Sequence, residues 1–273
     1  MWVACAHCIG CPTSSLILLQ FFDPSNSSTI SAISCADQRC AQYSGRFFKR
    51  SDAPRKVHGN TTFFNSSAHV IFGCSTHYAG GLTKSINTLD GIIGLGQRGL
   101  SIISQLSAQG LAPYVFSHCL EGSGHGGGIL VLGPILEPRL VYTPLVPSKL
   151  HYNVNLESIS VNGKPLPIRQ SVFSMSNNQG GTIIDSGTTG AYLPHEAYQP
   201  LVDKVTQMVS PPARAFVSDG YTCYEVASRI SETFPSVQLN FDGRAAMLLK
   251  PEHYLLSMGF GVSSELLFDN LIK

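Results

Sequence analysis

The sequence has little charge and no dominant sign. Of 273 residues only 13% are charged, and 18 basic against 17 acidic side chains leave a formal net charge of +1. Without a basic stripe or an acidic tail, nucleic-acid binding has no electrostatic support. No uncharged apolar run reaches the roughly 18 residues that a membrane-crossing helix requires, so no membrane span is expected. The apolar stretch at residues 16–22 follows three cysteines rather than a positively charged region, and does not read as a signal peptide. Either the protein is not exported or its start lies upstream of Met1.

What is present suits a globular protein: 43% of residues are hydrophobic, and the length allows one large or two smaller domains. Twenty-six glycines and sixteen prolines spread along the chain favour many turns and short strands over long helices. Ala68-His69-Val70-Ile71-Phe72 reads as a strand ending at Gly73-Cys74, and residues 128–132 read as another. Val154, Leu156, Ile159 and Val161 precede Asn162-Gly163, a strong hairpin signal, and the change of parity between Leu156 and Ile159 suggests a bulge. Helices are expected at 101–108 and 195–209; Pro194 opens the second, and Leu201, Val202 and Val205 fall on one face. The expected class is mostly β with a few short helices. Pro138, Pro144 and Pro147 separate two strand-rich halves, giving domains at 1–149 and 150–273.

Seven of the eight cysteines crowd the first half, and Cys5, His7, Cys8 and Cys11 invite a zinc reading. The adjacency of His7 and Cys8 makes one tetrahedron hard to close from this segment, so a disulfide-tied loop is the better expectation and no metal is assigned. Acceptor sequons at Asn26, Asn60 and Asn65 are glycosylation candidates and, with the cysteines, tilt the compartment towards oxidising. The glycine-rich stretch 122–128 lacks the Gly-Lys-Ser/Thr ending of a phosphate loop and reads as a hairpin loop. Gly94-Leu95-Gly96-Gln97-Arg98-Gly99 matches a dinucleotide fingerprint, with Glu121 at a plausible distance. The following helix is too short for a crossover and the chain shows no βαβ alternation, so no cofactor is assigned.

The run Gly181-Thr182-Ile183-Ile184-Asp185-Ser186-Gly187-Thr188-Thr189 carries the chemistry. An apolar strand delivers an aspartate into a turn rich in glycine and hydroxyls. There its carboxylate can accept hydrogen bonds from Gly187 N–H and from the Ser186 or Thr188 hydroxyl, which fixes the rotamer and favours ionisation. The bland alternative is an Asx-type turn at a strand end.

This run resembles the second active-site motif of pepsin-like aspartic proteases. Trp2-Val3, Val70-Ile71-Phe72-Gly73-Cys74-Ser75, Asp90-Gly91-Ile92-Ile93-Gly94-Leu95-Gly96 and Phe116-Ser117-His118-Cys119-Leu120 extend the resemblance over nearly the whole chain. Their order and spacing are similar to the plant, cysteine-rich (nepenthesin-like) branch. The resemblance implies two β lobes around a substrate cleft and an aspartic endopeptidase acting on peptides or proteins as a monomer. It also implies a secretory or extracellular location. Asp185 would be catalytic, Ser186 would help lock the active-site loops together, and Thr188 would bond the outer carboxylate oxygen. Cys74–Cys119 and Cys35–Cys40 are the disulfide pairs it implies.

The pattern also breaks. The family's chemistry uses two aspartates, one ionised to deprotonate the attacking water and one protonated to donate to the scissile carbonyl. The first is expected in an Asp-Thr-Gly-Ser run ahead of Trp2, and Asp23, Asp37 and Asp52 do not fit that pattern. The family's flap tyrosine sits in a glycine-rich hairpin; Tyr43, in Tyr43-Ser44-Gly45-Arg46, is the candidate remnant. A counterpart of Ile92-Ile93-Gly94 is not found after Asp269-Asn270-Leu271, so both lobes are expected to be incomplete and Cys223 to lose its disulfide partner. The expectation is therefore a protease-family chain inactive as given, with a non-catalytic binding or inhibitor protein as the alternative.

Overall fold

Short apolar segments between glycines and prolines become short strands in the computed structural model of the chain. It describes residues 2–9, 25, 28, 30–33, 46–50, 56–58, 62–64, 68–77, 91–120, 127–176, 179–188, 190–210, 213–218, 221–226, 229–257, 263–266 and 268–270. The chain divides into two compact units, Met1–Glu137 and Pro138–Lys273. The division falls at the first of the three prolines, ahead of residue 149. Residues just after it already pair within the second unit: Leu145 bridges Val154, and Val146 N–H donates to Asn153 O over 2.8 Å.

In the first unit, β1 (Trp2–Ile9), β2 (Ile30–Ala32), β3 (Arg46–Arg50), β6 (Val70–His77) and β7 (Gly91–Ile92) form one sheet in the order β2-β3-β6-β1-β7. Strand β6 pairs antiparallel with β3 and parallel with β1, and β7 runs antiparallel to β1. Two hairpins form separate two-stranded sheets: β4 (Lys56–His58) with β5 (Thr62–Phe64), and β8 (Ser117–Leu120) with β9 (Gly128–Val131). Helix α1 (Ile102–Ala108) is capped by Ser101, whose hydroxyl accepts from Ser104 N–H over 3.3 Å. Gly94, Gly96 and Gly99 lie in the irregular stretch between β7 and α1, a helix of only seven residues.

In the second unit, β10 is Asn153–Val154 and β11 is Leu156–Val161. Strand β11 joins β12 (Lys164–Pro165), β19 (Val237–Phe241) and β20 (Ala246–Leu249) in the order β12-β11-β19-β20. The pairing of β11 with β19 shifts register between Leu156 and Ser158, the bulge that the parity change anticipates. Asn162 and Gly163 turn the β11–β12 hairpin with φ of 45° and 73°, a left-handed pair that asparagine and glycine tolerate best. Ile159, Val161 and Val237 point from this sheet into the core, where Ala197, Leu201 and Val205 of α2 (His195–Met208) meet them. The opposite face is polar: Asn240 Nδ2 donates to Ser158 Oγ and Ser160 Oγ, each over 3.1 Å. Tyr224 stacks edge-on against Phe234 with centroids 5.0 Å apart and shares a 2.6 Å hydrogen bond with Thr206.

The remaining strands are β13 (Met175–Ser176) with β14 (Gln179–Gly180), β15 (Thr182–Ile183), and β16 (Ala191–Leu193) in parallel with β23 (Phe268–Asn270). A further sheet runs β17 (Arg214–Ser218), β18 (Tyr221–Glu225), β22 (Ser263–Leu266), β21 (Leu255–Ser257). The class is mostly β with few short helices.

Candidate active site

Two residues of strand suffice to deliver Asp185. Strand β15 pairs antiparallel with β10, Asn153 opposite Ile183 and Val154 opposite Thr182, and Ile184 N–H donates to Tyr152 O over 3.0 Å. Gly181 enters β15 with φ of 79°, a left-handed conformation that calls for glycine.

Past Ile184 the chain turns, and the turn closes on the carboxylate. Gly187 N–H donates to Asp185 Oδ1 over 2.9 Å, and Thr188 Oγ1 donates to Asp185 Oδ2 over 2.7 Å. Thr188 N–H also donates to Asp185 O over 3.2 Å. Each carboxylate oxygen thus has its own donor from within three residues. A Cβ on Gly187 would sit 3.2 Å from Oδ1, so a side chain at this position would crowd the oxygen its amide binds. The Thr188 hydroxyl, then the Gly187 amide, hold the Asp185 carboxyl below its ordinary value near 3.8; partial burial opposes them and the charge of His151 adds to them. Asp185, Ser186, Gly187 and Thr188 are all exposed within the second unit. The arrangement is an oriented, ionised carboxylate with open faces, chemically suited to take a proton from water.

Other sequence expectations fare differently. Tyr43, Cys35, Cys40, Asn26, Asn60 and Asn65 lie outside the described residues, as do the side chains of Cys5, His7, Cys8 and Cys11. The pairing of Cys74 with Cys119 is corrected: Cys74 is disulfide-bonded, whereas Cys119 is an exposed free thiol. The two cysteines are on different sheets, Cys74 buried in β6 and Cys119 on the β8–β9 hairpin. Cys223 is a buried thiol on β18. Among the described residues no group of three or more His, Cys, Asp or Glu could hold a metal ion, and no helix is long and apolar enough to cross a membrane. Sequence reasoning missed His151, whose charge acts on Asp185 from a separate segment ahead of β10 and leaves no local signal in the sequence.

Comparison with known proteins places these observations. The family described as xylanase inhibitor N-terminal matches residues 56–134, and the family described as xylanase inhibitor C-terminal matches residues 151–262, which include Asp185. Aspartic proteinase 36 of Arabidopsis thaliana is 35% identical over 94% of this chain and 58% of its own length. Aspartic proteinase nepenthesin-2 of Nepenthes gracilis is 28% identical over 99% of this chain and 67% of its own length. This chain therefore spans only 58% of the first of these relatives. The crystal structure of conglutin gamma, a basic 7S globulin from lupine seeds, superposes with a TM-score of 0.70 over 98% of this chain and 76% of that one. At 19% identity that likeness speaks to the fold alone, a mostly-β pepsin-like fold. By its two family matches and its relatives, the chain belongs to the plant pepsin-like aspartic protease family.

Proposed function

We propose that this chain carries the family's site in a one-aspartate form, with Asp185 as the catalytic-type carboxylate, and that in this form it does not turn over peptides. The observation that carries the reading is the hold on Asp185: one donor on each oxygen, an open face and a lowered pKa. Such a group can serve as the base. The sequence contains one Asp-Ser/Thr-Gly run, so no second motif supplies the protonated partner that would donate to the scissile carbonyl. An empty acid role costs about 10²–10⁴ in rate, and a misplaced water costs more.

In a form that gains a second aspartate, the reading is an acid-optimum endopeptidase blocked by statine peptides, its substrate an extended peptide. Ser186 would then tie the two active-site loops together. The family's secretory route, a monomeric state and sugar at Asn26, Asn60 and Asn65 belong to the same proposal. The test is cleavage of a denatured protein by the full chain at acid pH, beside Asp185→Asn. Both are expected to be equally inactive. Cleavage abolished by Asp185→Asn would overturn the inactivity, and cleavage indifferent to it would remove Asp185 from the site.

One observation favours a second reading, a non-catalytic binding or inhibitor protein: both family matches are described as xylanase inhibitor. On this reading the chain lowers the activity of a xylanase in proportion to the amount added. Full xylanase activity in the presence of excess chain discards it.

A further inference from the structure

The sheet β17-β18-β22-β21 ends in two strands of different build. Strand β21 has three residues, whereas β17 runs five, Arg214–Ser218, against β18 without a register shift. The pairs are Arg214 with Glu225, Ala215 with Tyr224, Phe216 with Cys223, Val217 with Thr222 and Ser218 with Tyr221. Among the described residues β17 pairs with β18 alone, so its outer side turns alternate N–H and C=O groups to solvent. All five residues are exposed, Val217 to 74% and Phe216 to 41%. The strand lacks the usual devices that close an edge: it has no proline, no lysine and no bulge. Elsewhere the chain does cover strand backbone. Beside β6, the amides of Gln105 and Gln109 take up the N–H and C=O groups of Ile71 and His69.

We propose that β17 is a self-recognition edge, along which two copies of this chain join antiparallel, centred on Phe216, and continue the sheet across a two-fold axis. The charge order of the strand selects this partner and this direction. Arg214 stands at its start, and the sequence turns acidic just past its end, at Asp219. Antiparallel pairing about Phe216 sets Arg214 of each copy opposite Ser218 of the other, next to that acidic end. Parallel pairing in register would instead stack Arg214 on Arg214, and like charges directly opposed are destabilising. In the antiparallel pair Phe216 meets its own counterpart, and Val217 meets Ala215. One patch thus serves both partners, as a two-fold interface requires. A net charge of +1 raises no long-range repulsion between copies. A five-residue edge buries well under the roughly 1,200 Å² of a lasting interface, so the pair forms at high concentration and the dilute chain is a monomer. The proposal depends on no role of Asp185.

The test is sedimentation velocity of the full chain from about 10 μM to about 1 mM, the range of weak encounters. Wild type is expected to move from monomer towards dimer across that range. Val217→Lys places a charge on the open edge and should hold the chain monomeric; because Val217 is exposed, its melting temperature should match wild type. Ser218→Arg opposes Arg214 and should loosen the dimer, whereas Ser218→Glu should tighten it. Each change is expected to move Kd by about 2- to 30-fold, since two such pairs form per dimer. Wild type that stays monomeric throughout would overturn the proposal, as would a dimer that Val217→Lys leaves intact. Equal Kd values for Ser218→Arg and Ser218→Glu would overturn the antiparallel pairing. Monomeric wild type that binds an added extended peptide of alternating valine and threonine, and loses it in Val217→Lys, would give the edge to a foreign strand and overturn the second copy.

Discussion

The two units secure their helices by different means. In the second, α2 lies on the β12-β11-β19-β20 sheet through apolar contact: Ile159, Val161, Val237, Leu201 and Val205 are all 0% exposed. In the first, α1 brings Ile103 and Leu106 and then ties itself down with amides. Gln105 accepts from Ile71 N–H over 2.6 Å and donates to Ile71 O over 2.9 Å, and Gln109 does the same with His69 over 3.2 and 2.7 Å. Two glutamine side chains thus act as a substitute strand along β6. A seven-residue helix has little apolar face to bury, and directional bonds fix its register where packing alone would not. The site follows the first unit's manner: the Asp185 turn is held by hydrogen bonds, while Ile183 and Ile184, which lead into it, remain 45% exposed.

The contrast ranks the effects of substitution. Ile159→Ala empties a site with no exposure, and the loss is expected to be about 2–5 kcal/mol in urea unfolding of the second unit. Gln105→Ala leaves the Ile71 N–H and C=O buried without their side-chain partner, at about 1–3 kcal/mol for the first unit. Gln109→Ala makes the same change at an exposed position where water can replace the amide, so under about 1 kcal/mol is expected. A Gln105→Ala cost above that of Ile159→Ala would invert the comparison. Equal costs for Gln105→Ala and Gln109→Ala would show that burial of the amide ladder is unimportant.

Much of this was legible in the sequence, and the misses have physical reasons. Apolar spacing located α2 and its buried face because a helix of fourteen residues repeats its period several times. Asn162-Gly163 marked its hairpin because few other pairs accept two left-handed residues. The Asp185 donors could be named because both lie within three residues of it. What lay further apart in sequence was not legible. The charge of His151 acts on Asp185 from a separate segment, and Gln105 reaches Ile71 across 34 positions. The Cys74–Cys119 pairing failed for the same reason, since it depends on the spacing of two sheets rather than on the residues around each cysteine.

The smallest effects test the site itself. Thr188 makes the leading contribution to the lowered Asp185 pKa, ahead of Gly187. Thr188→Val keeps the shape and removes the hydroxyl, so the Asp185 titration midpoint is expected to rise towards its ordinary value near 3.8. Thr188→Ser keeps a hydroxyl and should stay with wild type. The sign for stability follows from the direction of the shift. A carboxyl whose folded pKa is depressed contributes stability above its unfolded pKa and loses it as pH falls through the folded value. Wild type and Thr188→Val are therefore expected to differ slightly in melting temperature at neutral pH and to converge in strong acid. Because Asp185 is exposed, solvent screens the contribution and the difference should be small. An Asp185 midpoint unchanged by Thr188→Val would mean that the 2.7 Å hydrogen bond does not favour the ionised form. The turn would then be a fold device rather than a poised carboxylate.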